Sequence, residues 1–281
     1  MEVIIVEKMP LTSMTSGMGF EVLPDVYCFT VQIVNIIFVG NPRDSNEFIL
    51  IDAGMPGSEE VILAEAKKRF GENCRPLGIV LTHGHFDHVG ALNELLRIWD
   101  VPVYAHPLEQ PYLTGKSDYP PPNTKAEGLV AKMSPLFPRH SIDISSHLRL
   151  FNGDGSIPCL PNWRFIHTPG HTPGHVSLFR DSDKVLIAGD AITTVEQESL
   201  YEVITQKQEL HGPPAYFTLD WEAAEQSVKK IEALHPEIAI TGHGLPMTGN
   251  ELQSNLGILT DNFVLTEIPD NIKQSGDVTL L

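Results

Sequence analysis

The sequence predicts an α/β fold in which two sheets meet at one polar site. Short β-branched runs alternate with helical periodicity through the first half, a second series of strands resumes from residue 147, and strand-ending loops in both halves are rich in His and Asp. A chain of 281 residues can bury a sizeable core as one large domain or two small ones. Apolar residues at 42% and charged residues at 20% set it among ordinary globular proteins, away from disordered or fibrous chains.

The elements follow in order. VQIVNIIFVG near residues 31–40 and FILIDAG at 48–54 read as two strands joined by a loop with Pro42 and Asp44. Residues 58–70 read as a helix capped by Ser58, with acids in the first turn, bases in the last and Gly71 after it. LGIVLT at 77–82 is a short buried strand. In HGHFDHVGALNELLRIW, Asp87 can open a helix whose apolar face carries Val89, Leu92, Leu95 and Leu96, which puts the histidines in a strand-to-helix loop. VPVYAH at 101–106 supplies a strand, and 107–113 a short helix.

Residues 114–146, with Pro120, Pro121, Pro122, Pro135 and Pro138, break the pattern and are expected to be an insertion that acts as a lid, with Tyr112, Tyr119 and Phe137 as pocket wall. Beyond it HLRLF from 147, WRFIHT at 163–168, VSLFR at 176–180 and KVLIAGD at 184–190 imply a second sheet. An amphipathic helix at 220–234, the strand IAIT at 238–241 and a closing helix at 250–266 complete the chain, with no solenoid repeat or low-complexity tract.

Nineteen basic against 36 acidic residues leave a net charge of −17, which disfavours phosphate backbones and anionic lipid and leaves a small molecule as the expected partner. The start, MEVIIVEKMP, lacks the basic flank and long apolar stretch of a signal peptide, and no apolar run approaches the roughly 18 residues that cross a membrane. Cys28, Cys74 and Cys159, odd in number and far apart, suit neither a disulfide framework nor a paired-cysteine zinc site. A cytoplasmic protein is expected. Nothing in the sequence bears on oligomeric state, and a homodimer stays open.

The chemistry concentrates in loops. His83, His85, Asp87 and His88 offer three imidazoles and a carboxylate within six residues, a pattern expected by chance in about one such sequence in a thousand. TPGHTPGH puts His171 and His175 on a Pro/Gly turn, Asp190 ends a strand, and His243 sits in the strand-end loop TGHG. Imidazole and carboxylate together suit zinc, and also iron or manganese; the absence of cysteine argues for open catalytic sites over a closed structural one. Neither a G-x-S-x-G elbow nor a phosphate-binding G-K-[ST] loop is present, so serine hydrolysis and nucleotide cofactors are not expected.

These motifs resemble those of the metallo-β-lactamase superfamily from about residue 20 to 245. The resemblance implies a four-layer αββα fold, two mixed sheets sandwiched between helices, formed as a single domain over 1–281. It implies two divalent metal ions, zinc before iron or manganese. His83, His85 and His171 match the first metal site, Asp87, His88 and His243 the second, and Asp190 the bridging carboxylate. It selects His171 over His175 as ligand, and Asp52 matches an aspartate that orients ligands from behind. Two such cations would acidify a shared water and polarise the substrate oxygen, with Asp87 as ligand and catalytic acid/base.

Within the family, Asp190 stands where antibiotic-hydrolysing branches usually carry Cys or Ser, which points toward thioesterases, lactonases and phosphodiesterases, with ester, lactone or thioester hydrolysis as the expected class. Glyoxalase II enzymes share the ligands but carry a further C-terminal region, and only 38 residues follow His243. TPGHTPGHVSLF looks like the acyl-homoserine lactonases, yet Thr193 replaces their catalytic tyrosine, so either another residue such as Tyr201 or Tyr216 reaches the oxyanion or the substrate differs. The alternatives are a persulfide dioxygenase-like enzyme with one iron, a phosphodiesterase, or a catalytically silent metal-binding scaffold.

Overall fold

The computed structural model of the chain describes residues 12–275; MEVIIVEKMP therefore lies outside the described residues. The first sheet holds seven strands in spatial order: β1 (Gly19–Leu23), β2 (Val26–Val31), β3 (Val34–Val39), β4 (Glu47–Ile51), β5 (Arg75–Val80), β6 (Val103–Ala105) and β7 (Leu148–Leu150). Neighbours are antiparallel as far as β4 and parallel from β4 to β7. The second sheet runs β12 (Met247–Thr248), β11 (Ile238–Thr241), β10 (Val185–Gly189), β9 (Val176–Arg180), β8 (Arg164–His167), parallel only between β10 and β11. Both sheets are thus mixed.

Alternation along the strands builds three cores. Tyr27, Phe29, Ile36, Phe38, Phe48 and Leu50 point outward to Ile62, Ala66 and Phe70 of α1 (Glu59–Phe70) and Leu92, Leu95 and Leu96 of α3 (Leu92–Trp99). The intervening residues Val26, Cys28, Ile37, Val39, Ile49 and Ile51 face Val176, Leu178, Val185, Ile187 and Ile240 of the other sheet. That sheet sends Phe179, Leu186, Ala188 and Ala239 outward to α7 (Trp221–Ala233) and α8 (Gly249–Thr266). The result is helix, sheet, sheet, helix. Strands buried on both faces are apolar nearly throughout, which is why β2 and β3 are continuous runs interrupted only by Thr30 and Asn35.

Several expectations need correction. The run near 31–40 holds one strand, β3, but starts too early: Val31 is the end of β2, Gln32 turns the chain at φ 57°, and β3 begins at Val34, while β1 and β2 were not anticipated. Ser58 makes no capping hydrogen bond and instead donates to the Met55 carbonyl at 2.6 Å. Leu148–Leu150 joins the first sheet, parallel to β6, rather than the second. The 114–146 segment contains α5 (Leu129–Met133), after α4 (Gln110–Leu113); α6 (Leu200–Thr205) and α9 (Asp270–Ser275) were not anticipated. Cys28, Cys74 and Cys159 are free thiols. Among the described residues no helix is long and apolar enough to cross a membrane.

The helix expected to open at Asp87 is also two helices, α2 (Phe86–Val89), with His85 at its N-cap, and α3. Between them the amides of Gly90 and Ala91 leave the helical ladder to donate to the carbonyls of Gly54 and Ala53, at 2.8 and 3.3 Å. This clamps α2, with Asp87 and His88, to the loop that follows β4. The approach is so close that a Cβ on residue 90 would lie 2.2 Å from the Pro56 nitrogen. Gly90→Ala is therefore expected to lower stability by about 2–4 kcal/mol, in the range of severe overpacking; thermal unfolding checks it, and an unchanged midpoint would contradict the clamp.

Candidate metal centre

Five strand-end loops converge at one end of the sandwich. Asp52 follows β4, residues 83–88 follow β5, His171 lies in the β8–β9 turn, Asp190 follows β10 and His243 follows β11. Strands buried on both faces have little room for charged side chains, so the ligand-type residues begin where each strand stops. The structure brings together all seven residues named as metal ligands, each at 8% exposure or less.

Their donor atoms form three overlapping triads: His83 with His85 and His171, His83 with His88 and Asp190, and Asp87 with His88 and His243, each within 4.8 Å. His85 Nδ1 lies 3.1 Å from His83 Nε2 and 2.9 Å from His171 Nε2. Asp190 spans the groups, with Oδ2 3.5 Å from His171 Nε2 and 3.4 Å from His243 Nε2, and Oδ1 3.5 Å from His88 Nε2. Asp87 Oδ2 is 3.4 Å from His243 Nε2. Ligands about 2 Å from a shared tetrahedral cation sit about 3.3 Å from one another, which is the spacing found here.

An outer layer of hydrogen bonds aims the rings. His88 Nδ1 donates to Asp52 Oδ2 at 2.8 Å. The same carboxylate accepts from the Thr82 amide and hydroxyl, and Thr82 Oγ1 lies 3.1 Å from His83 Nδ1. His243 Nδ1 donates to the Ile33 carbonyl at 2.9 Å, and His171 Nδ1 lies 3.4 Å from Thr218 Oγ1. With Nδ1 engaged, the Nε2 lone pairs of these rings are left for the centre. Asp52 holds a left-handed φ of 59° to reach its partners, a strained conformation of the sort kept at functional sites.

The donor set fits a metal. His88 Nε2 and Asp190 Oδ1 are buried without any hydrogen-bond partner, and a Cβ on residue 242 would come within 2.0 Å of Asp190 Oδ1, so Gly242 leaves the space in which that carboxylate sits. Burial, with neighbouring imidazoles, holds His83 and His171 well below the ordinary histidine range, and burial brings His85 to about 4. For His88 and His243 burial also acts downward, but the aspartates outweigh it: Asp190, Asp52 and Asp87 raise His88 well above its usual value, and Asp190 with Asp87 takes His243 to about 10. Those two imidazoles then carry protons where a cation can replace them.

Sequence reasoning missed Glu109, which is fully buried. Its Oε1 accepts from the Thr172 hydroxyl and the Gly174 amide, both at 2.8 Å, while Oε2 accepts from the Gly84 amide at 3.0 Å and from the Tyr119 hydroxyl. One carboxylate thus ties the His83–His88 loop to the His171 loop. Asn35, the polar residue inside β3, does the same for the His243 loop, donating to the carbonyls of Thr241 and Gly244 at 3.0 and 2.6 Å. His175 faces away from the donors: its Nε2 accepts the Asp190 amide at 2.9 Å and Nδ1 pairs with Thr168.

Other candidates separate. Thr193 donates to the carbonyls of Val195 and Gly212, and Tyr201 is 71% exposed on α6, so neither faces the donors. Tyr216 lines a cavity beside Asp87 with Phe86, Phe137, Gln197 and Phe217. That cavity holds about 10 Å³, the space of a single water. Val130 and Phe137 of the insertion roof it. Tyr119 instead packs against His85 with tilted rings at 4.4 Å, and its hydroxyl lies 3.1 Å from the Gly84 amide, with Tyr112 stacked behind it at 3.8 Å. The front of the insertion therefore supports the metal loop, and only its later part covers the cavity. A wider cleft of about 740 Å³, lined by Glu196, Tyr201, His211 and Glu267, lies alongside and contains none of the seven. His106 and His167 stack on each other at 4.2 Å, and His140 and His147 pair with Asp118 and Asp100.

Residues 29–243 match the model of the metallo-beta-lactamase superfamily. A probable metallo-hydrolase of Bacillus subtilis, YflN, is 60% identical over 250 residues, covering 88% of this chain and 94% of its own. The hydroxyacylglutathione hydrolase GloC of Haemophilus influenzae is 29% identical over 217 residues, 75% of this chain and 87% of that protein. Among solved structures, the B3 metallo-beta-lactamase BLEG-1 superposes with a TM-score of 0.55 at 27% identity, covering 83% and 94% of the two chains.

Glu109→Gln would set an amide N–H₂ against donors and leave buried hydrogen bonds unmade, at about 1–3 kcal/mol each. The expected outcome is a fall in metal affinity of about 10- to 100-fold, as for other residues that orient ligands, measured by competition with a chromophoric chelator. Unchanged affinity would contradict the tie between the loops.

Proposed function

The chain belongs to the metallo-beta-lactamase superfamily, and on that premise we propose that it is a hydrolase that uses two divalent cations, zinc first, to cleave an ester, lactone or thioester bond of a small molecule. The observation that carries this reading is the position of Asp190, whose two oxygens reach His88 on one side and His171 and His243 on the other. His83, His85 and His171 would hold one cation, Asp87, His88 and His243 the other, with Asp190 between them. The closeness of the donors of Asp87, His88 and His243 favours this over a single-iron enzyme. When bound, such a pair acidifies water and polarises the substrate oxygen.

The chain's own residues do the rest. Asp87 stands at the edge of the cavity and is the group placed to take a proton from the attacking water and return it to the leaving group. Tyr216, not Tyr201, fits the oxyanion role. Burial, with Glu198, Asp87 and Asp190 nearby, holds its phenol well above the usual value, so it remains a hydrogen-bond donor at neutral pH. The apolar walls supplied by Ile33, Phe86, Val203 and Phe217 exclude water and match an apolar substrate body. No Lys or Arg lines this cavity, which disfavours a phosphodiester. The relation to GloC keeps thioesters within the class. Val130 and Phe137 would serve as the lid, since substrate needs more room than one water.

A panel of generic ester, lactone, thioester and phosphodiester substrates, graded by acyl size, tests this reading on metal-loaded protein. Turnover of at least one carboxylic class is expected, with kcat lowered about 10²- to 10⁴-fold by Asp87→Asn. Phe137→Ala is expected to shift preference toward larger acyl groups at unchanged metal content. Absence of turnover across the panel would refute the hydrolase, and metal loss in Phe137→Ala would refute the lid.

A further inference from the structure

We propose that Gln197 is a specificity-determining residue that reads a carboxamide on the substrate, next to the bond that is cleaved. The proposal rests on the hydrolase reading above. Gln197 is 1% exposed, yet neither its Oε1 nor its Nε2 has a hydrogen-bond partner. Buried amide groups left unpaired cost about 1–3 kcal/mol each, and native proteins keep few of them. The side chain lines the same cavity as Asp87 and Tyr216, against walls that are otherwise apolar.

The ligand that answers this amide must offer both a donor and an acceptor. A substrate carboxamide does so with one planar group, its C=O accepting from Nε2 and its N–H donating to Oε1. A carboxylate would face the Oε1 lone pairs and the Asp87 carboxylate, and an ammonium would leave Nε2 unpaired. One water has room in the cavity as it stands, and a substrate amide would take its place once Val130 and Phe137 move aside. A site built to hydrogen-bond one substrate group discriminates strongly against analogues that lack it. The apolar walls then take the chain beyond the amide.

The test compares N-acetylglycyl with pentanoyl 4-nitrophenyl esters and thioesters, which have equal chain length but differ in the amide. Wild type is expected to prefer the N-acetylglycyl probe by at least about tenfold in kcat/KM. Gln197→Leu should lower that value about 10- to 100-fold, as one or two lost hydrogen bonds would, and with it the ratio of N-acetylglycyl to pentanoyl kcat/KM, at unchanged metal content. Equal loss on both probes, or no preference in wild type, would overturn the proposal.

Binding of the ketones acetamidoacetone and 2-hexanone, in which a methyl group replaces the ester or thioester leaving group, gives a readout independent of turnover. Acetamidoacetone should bind wild type more tightly than Gln197→Leu, and 2-hexanone should bind both alike. Equal binding of acetamidoacetone to the two proteins would overturn the assignment even in an active enzyme. Gln197-dependent binding without turnover of either probe would sustain it while the hydrolase reading fails. Because the substitution removes two unpaired groups, thermal stability should hold or rise; a marked fall would mean that Gln197 is a structural residue and would also overturn the proposal.

Discussion

Three aspartates and six histidines, Asp52, Asp87, Asp190, His83, His85, His88, His171, His175 and His243, are buried at the seam where two sheets meet. Withdrawing that many ionisable groups from water is unfavourable unless each is paired or shares a cation. The rest of the architecture follows from this constraint. On one side His88 and His243 stand against Asp190 and Asp87, while on the other His83, His85 and His171 bring three imidazoles together. Protons can supply the missing positive charge, and divalent cations supply more of it from less space.

Holding donors about 3 Å apart across two sheets requires that the loops be tied to each other and not only to their own strands. Asp52 fixes β4 to β5 through Thr82 and His88, Glu109 joins the His83–His88 loop to the His171 loop, Asn35 reaches across to the His243 loop, and Ile33 accepts from His243. These ties are buried and satisfied, which makes the centre rigid before any ligand arrives. The cavity beside it contrasts with this. There the amide of Gln197 lacks partners and the roof belongs to an insertion, so the unsatisfied groups stand where a substrate, rather than the fold, would complete them.

Much of this was legible in the sequence where the signal is local. H-x-H-x-D-H at 83–88 is a single loop, and the apolar runs of β3, β4, β9 and β10 follow from burial on both faces. What failed was long-range or unmarked. β2 went unread because the run that reads as a strand begins at its last residue, Val31, and the turn at Gln32 and Ile33 carries no Gly, Pro, Asn or Asp to set the two strands apart. β7 was given to the wrong sheet because pairing with β6 spans more than 40 residues and leaves no trace in either segment. Glu109 was missed because its partners lie 25 and 65 residues away, and the sequence around it looks like an ordinary turn. The position of Asn35 in an apolar strand was a usable sign, since a buried polar residue there has to find partners.

The central claim is that the seven residues form two cation sites sharing Asp190. Native mass spectrometry of metal-free protein titrated with zinc measures it most directly. The account predicts two ions per chain, falling to one in His243→Ala. A maximum of one ion in the wild-type chain, or two that survive His243→Ala, would contradict it.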